Sequence, residues 1–121
     1  MLSPRSRLGR SAEIAAAAEL GRRGYRIVGS NYRCRSGEID LIAEESGSIV
    51  FVEVRCKRTE AFGAPAESIT APKRRRLIST AQHYLHERGL TDVDCRFDVV
   101  EVTTVRGKLT VRDVIRDAFG A

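Results

Sequence analysis

The chain has 121 residues, with 21 Lys and Arg against 16 Asp and Glu, a formal net charge of +5 and a pI near 9.6. A single domain over 1–121 is expected, because a chain of this length buries about two-thirds of its unfolded surface in one core; the cationic excess favours polyanionic partners, nucleic acid ahead of membrane. Three cysteines without a CxxC spacing argue against a disulfide framework or a cysteine zinc site and suit a reducing cytoplasm, and the absence of a long apolar run argues against a signal peptide or membrane span.

Ser11 to Arg23 reads as a helix. Ser11 can cap it, four alanines follow Ile14, and Gly24 stands where a C′ glycine belongs, although a start nearer Ser6 also suits the pattern. Tyr25 to Arg33 then reads as a strand. Glu38–Ala43 and Ile49–Cys56 alternate in polarity and are rich in Ile, Val, Leu and Phe, so they read as a hairpin around Glu45-Ser46-Gly47-Ser48. Thr59 to Ala71, with Gly63, Pro65 and the following Pro72, reads as an irregular connection. Leu77, Ile78, Ala81, Tyr84 and Leu85 mark one apolar face of a second helix, which Thr70 and Pro72 suit as a start and which ends near Gly89. Cys95–Val102 and Lys108–Val114 follow as strands around Arg106-Gly107, and Arg116 to Ala121 is expected to fray. The order is αβββαββ. A strand, a crossover helix and a further strand place the two strands parallel, so the fold expected is α/β, a mixed sheet flanked by helices.

The hairpin carries carboxylates inside apolar strands. A Ser46-Gly47 turn, or a loop of all four residues, sets Asp40 opposite Glu53 on one face; a slip to Gly47-Ser48 sets Asp40 opposite Arg55 instead. Opposed carboxylates lie ~4.5–5.5 Å apart at Cβ and repel unless something neutralises them. A hard divalent cation such as Mg²⁺, which takes oxygen ligands, would do so. Plain cross-strand pairing with Arg33, Arg35, Arg55 or Lys57 would do so as well. Lys73-Arg74-Arg75-Arg76 crowds four cations into the first turn of the second helix, where the macrodipole opposes each by ~0.3–1 kcal/mol. Phosphate contact accounts for such a run, and so does a solvated basic face. His83 and His86 lack a third ligand nearby and read as surface histidines.

Asp in one strand and Glu-x-Arg in the next resembles the Asp…(Asp/Glu)-x-Lys signature of restriction-endonuclease-like nucleases. More closely, Gly37-Glu38-Ile39-Asp40-Leu41-Ile42-Ala43, Val50-Phe51-Val52-Glu53-Val54-Arg55, Phe62-Gly63-Ala64-Pro65-Ala66-Glu67 and Arg96-Phe97-Asp98-Val99-Val100 resemble the YraN family of uncharacterised, predicted endonucleases, itself similar to archaeal Holliday-junction resolvases. The resemblance runs from about Glu13 to Val102. It implies a restriction-endonuclease-like fold and a Mg²⁺- or Mn²⁺-dependent nuclease acting on structured or branched DNA. It also implies metal ligation by Glu13, Asp40, Glu53 and the Val54 carbonyl; the candidate catalytic residues are Asp40 and Glu53, with Arg55 and Lys57 beside them on the second strand of the hairpin. Arg33, Arg35, Arg55 and Lys73 to Arg76 would contact nucleic acid, no membrane is involved, and a homodimer is left open.

Arg55 departs from the signature, which ends in Lys. A guanidinium can clamp phosphate but cannot serve as a base, so Lys57 or Lys73 would have to replace that lysine, or metal-bound hydroxide would suffice. If none does, the domain binds without cutting. The alternatives are accordingly a non-catalytic nucleic-acid-binding module and an RNA-directed hydrolase, since tRNA-splicing endonucleases share the fold.

Overall fold

The computed structural model describes residues 7–57 and 69–120. In chain order they form α1 (Arg7–Arg22), β1 (Arg26–Cys34), β2 (Gly37–Glu45), β3 (Ser48–Lys57), α2 (Ala71–Glu87), β4 (Cys95–Val105) and β5 (Lys108–Phe119). The strands make one sheet in the order β1-β2-β3-β4-β5, antiparallel throughout except for the parallel pair β3/β4. That exception follows from α2. A chain that leaves one strand and returns through a helix starts its next strand at the same end as the first.

Two hairpins fix the registers. Ser46 and Gly47 have φ of 52° and 83°, and Arg106 and Gly107 have 52° and 78°. Paired positive φ values define the primed turns whose twist matches that of the flanking strands. Glu45↔Ser48 closes the first hairpin, and pairing continues without a shift to Leu41↔Val52, so the slip to Gly47-Ser48 does not occur.

Each face of the sheet is covered by one helix. The small side chains of Ala12 and Ala16, with Leu20, bring α1 close to Leu41, Ala43, Val50, Val52, Val100 and Val102. Leu77, Ala81 and Tyr84 of α2 pack against Ile39, Ile42, Phe51 and Phe97 on the other side. Val50 and Val52 face α1 while Phe51 faces α2, so the central strand is apolar on both sides. Both helices end in the same way. Tyr25 N–H donates to Leu20 C=O at 3.0 Å beyond α1, and Leu90 N–H to Leu85 C=O at 2.9 Å beyond α2, with Gly24 and Gly89 at the C′ positions.

Two expectations are corrected. Helix α1 is already formed at Arg7, so Ser11 lies inside it and is not its cap. Arg116 to Phe119 do not fray: β5 continues to Phe119, which stacks on Phe97 at 4.8 Å, while the Asp117 N–H donates to Asp98 Oδ1 at 2.9 Å. A bulge between the pairs Phe97↔Phe119 and Val99↔Ile115, with Asp117 at φ 52°, breaks the two-residue alternation and hides this stretch from pattern reading. The Phe62-to-Glu67 motif, most of the Thr59-to-Ala71 connection and the Lys57 side chain lie outside the described residues. No helix among the described residues is long and apolar enough to cross a membrane.

Candidate active site

Asp40 and Glu53 meet where β2 and β3 part. In a hairpin closed at Glu45↔Ser48, hydrogen-bonded pairs alternate, so Leu41↔Val52 is such a pair and the next would join Val54 to Ile39. That pair is missing from the register. Instead the Val54 N–H donates to Asp40 Oδ2 at 2.8 Å, so a carboxylate takes the place of a backbone carbonyl. The cause lies in β2. Ile39 and Ile42 both pack toward α2 although they are three residues apart, so the alternation of the strand breaks between them. The residue of β1 that falls opposite Asp40 is Asn31, whose left-handed backbone (φ 54°) is an irregularity that Asn tolerates.

Glu53 follows Phe51 on the α2 face of β3 and is 7% exposed. Lys73, in the first turn of α2, places its Nζ 3.1 Å from Glu53 Oε2. Burial pushes the Glu53 carboxyl up to about 7. The negative charge of Asp40 and a hydrogen bond with it add to that rise, and the charge and hydrogen bond of Lys73 oppose it. The Lys73 ammonium therefore only partly offsets the effect of burial and of the Asp40 charge on Glu53.

Glu13 is also buried, at 5% exposed, but on α1, across the sheet from α2. The structure joins Asp40 to Glu53. Among the described residues no three His, Cys, Asp or Glu side chains form a group able to hold a metal ion, so Glu13 does not complete a triad in this arrangement. Arg55, half-buried, shares the face of Glu53 and stands beside Glu101 in the parallel ladder. Glu101 is 1% exposed and pairs with Arg112 Nη1 at 3.1 Å.

The cationic residues collect beside this site. The β1–β2 turn, which carries Arg35, lies against α2: Ser36 Oγ is 2.9 Å from Ser79 Oγ, and a Cβ on Gly37 would meet Thr80 Oγ1 at 3.2 Å and Arg76 Cβ at 3.8 Å. A side chain at Gly37 would crowd Thr80 in that approach. Arg35, Arg75 and Arg76 are exposed and Arg74 half-exposed, while Arg33 stands opposite Glu38 across the β1/β2 ladder. The capping threonine, Thr70, accepts from Lys73 N–H at 3.3 Å and so sets where this run begins. His83 and His86 are exposed, and His83 Nδ1 meets Tyr32 Oη at 2.7 Å.

Sequence reading does not single out Asp98 or Glu101 as buried acids. The signal was the one that identified Asp40 and Glu53, a carboxylate inside a run of apolar strand residues: Phe97-Asp98-Val99-Val100-Glu101-Val102. Asp98 is fully buried and accepts from Tyr25 Oη at 2.7 Å, Arg96 Nε at 2.9 Å and Asp117 N–H. Arg96 and Arg116 also donate to Glu45 at 2.8 and 3.1 Å, which holds the Glu45 carboxyl below its ordinary range. This network sits by the hairpin turn, ~16 Å along β2 from Asp40. It is structural.

A mixed sheet covered by two helices, with an acid pair where its second and third strands part, defines an α/β protein of nuclease-like fold. The model of the uncharacterised protein family UPF0102 matches residues 12–102, and the chain belongs to that family, also called the YraN family. A UPF0102 protein of Moorella thermoacetica is 47% identical over 120 residues, covering 98% of this chain and 100% of the relative. UPF0102 protein STH1475 of Symbiobacterium thermophilum is 49% identical over 116 residues, covering 95% and 98%. A UPF0102 protein of Dechloromonas aromatica is 53% identical over 92 residues, covering 76% and 75%.

Proposed function

We propose that this protein is a Mg²⁺- or Mn²⁺-dependent nuclease of the cytoplasm that hydrolyses phosphodiester bonds in structured or branched DNA. The observation that carries this reading is the meeting of half-buried Asp40 with buried Glu53, whose pKa is raised although the Lys73 ammonium stands beside it. A donor set of this kind suits a hard divalent cation. Asp40, Glu53 and the Val54 carbonyl would hold it, with waters or substrate oxygens in the remaining positions. The strand geometry fits, because the N–H and C=O of a residue point to the same side, and the Val54 N–H points into the gap at Asp40. Once bound, the cation would polarise the phosphodiester and lower the pKa of a water.

The chain's own residues supply the rest. Arg55 clamps a phosphate oxygen from the Glu53 face, Lys57 follows two residues later in β3, and Arg33, Arg35 and Arg74 to Arg76 provide sequence-independent affinity for the backbone. Cleavage is tested over single-stranded, duplex, flap and four-way-junction DNA, and over RNA, with Mg²⁺ or Mn²⁺ and a Glu53→Gln control. No metal-dependent cleavage of any substrate, at saturating protein, would remove the nuclease reading.

A second reading is favoured by the Lys73–Glu53 ion pair, which gives the acids a structural partner already: a module that binds nucleic acid and does not cut. Both readings need the basic surface. Arg74→Glu and Arg75→Glu should each lower the slope of log affinity against log salt on duplex DNA by ~0.9, equally for unrelated sequences. A salt titration by fluorescence anisotropy measures this, and an unchanged slope would make the run a solvated face.

A further inference from the structure

Lys73 occupies a position that local helix energetics does not favour. It lies in the first turn of α2, where the macrodipole is unfavourable to a cation, and its ammonium reaches Glu53 at 3.1 Å. The Glu53 side chain is 8% exposed and the Lys73 side chain 40%, so the ammonium stands between buried Glu53 and solvent. On the same helix Arg74, Arg75 and Arg76 continue toward the β1–β2 turn and Arg35. A lysine that leaves Glu53 therefore has open solvent to swing into, beside the cationic surface along which a phosphate backbone would lie.

We propose that Lys73 is a resident counter-ion of the Asp40–Glu53 pair, displaced from Glu53 when a divalent cation binds and then used as a phosphate contact, so that cation loading and nucleic-acid binding are coupled through one side chain. This rests on the function proposed above, since it takes the acid pair as the cation site. Glu53 cannot satisfy a dication and an ammonium through the same oxygen without placing like charges in contact. Displacement relieves that repulsion and delivers a flexible positive charge to the mouth of the site.

The test uses the full chain as wild type, Lys73→Gln and Lys73→Arg, and needs no cleavage. Mn²⁺ affinity without DNA is read by electron paramagnetic resonance of the free ion. Affinity for a four-way junction is read by anisotropy across salt, in EDTA and in Ca²⁺. Lys73→Gln should bind Mn²⁺ about tenfold more tightly, because it removes a positive charge beside the ligand. Lys73→Arg, which keeps the charge, should stay near wild type. On the junction, Lys73→Gln should lose ~0.9 of salt slope in Ca²⁺ and almost none in EDTA. Mn²⁺ affinity unchanged in Lys73→Gln, or a slope loss equal in EDTA and Ca²⁺, would overturn the coupling while leaving the nuclease reading in place. A wild type that binds no Mn²⁺ up to millimolar concentration would remove the cation site itself, and both proposals with it.

Discussion

Replacing Asp98 with alanine should cost about 3–5 kcal/mol of folding stability, the usual penalty for stripping a buried charge from its partners. The carboxylate is 0% exposed and holds Tyr25, Arg96 and the backbone of Asp117 together. Its loss leaves the Arg96 guanidinium, the Tyr25 hydroxyl and an N–H short of an acceptor, in a place where water does not reach Asp98. The effect extends along the chain, because Asp117 and Phe119 are the last anchored residues of β5, and β5 carries the Arg112 that pairs with buried Glu101. Domains of this size are stable by about 5–15 kcal/mol, so a substantial part of the total is at stake. Urea unfolding followed by circular dichroism should show a lower midpoint with an unchanged m-value, and thermal melting should shift by ~12–20 °C. A loss below 1 kcal/mol would mean that the network is dispensable.

Glu53→Gln should move stability and activity in opposite directions. The folded protein holds the Glu53 proton up to about pH 7, against an ordinary value of 4.5. Below pH 4.5 the group is protonated in both folded and unfolded chains and costs nothing. Between 4.5 and 7 the unfolded chain releases the proton first, so wild-type stability falls as pH rises, by up to about 3 kcal/mol, and above 7 the deficit is constant. Glutamine has the same shape and no charge to desolvate. In metal-free buffer at pH 8 Glu53→Gln should therefore be more stable than wild type by about 1–3 kcal/mol, less whatever the Lys73 pair contributes, and the gap should close toward pH 4.5. Over the same change, metal-dependent cleavage should fall about a thousandfold or more, equivalent to ~4 kcal/mol of transition-state stabilisation. Urea midpoints from pH 4 to 8 and single-turnover cleavage at saturating protein measure the two halves. A variant less stable than wild type at pH 8 would mean that Glu53 is a structural partner of Lys73 and not a strained acid.

The elements that local chemistry dictates were legible from the residues alone. Glu45-Ser46-Gly47-Ser48 and Arg106-Gly107 mark the two hairpins, while the choice of Ser46-Gly47 over Gly47-Ser48, which brings Asp40 toward Glu53, is seen only in the folded register. The alanines and Gly24 specify a helix and its end, and a helix between two strands makes them parallel. The acid pair was visible for the same reason, because a carboxylate inside an apolar strand stands out against its neighbours. Contacts between residues distant in sequence had no such signature. The sequence does not show that Asn31 takes a left-handed backbone opposite Asp40, that Asp40 takes the Val54 amide in place of a carbonyl, or that Lys73 reaches Glu53 from a helix twenty residues on. Nor does it show that Asp98 gathers Tyr25 and Arg96, or that a bulged β5 runs on to Phe119. Period and turn chemistry act over a few residues, whereas the burial that raises the Glu53 pKa, and the choice of which cation faces which acid, exist only once two helices close over the two faces of the sheet.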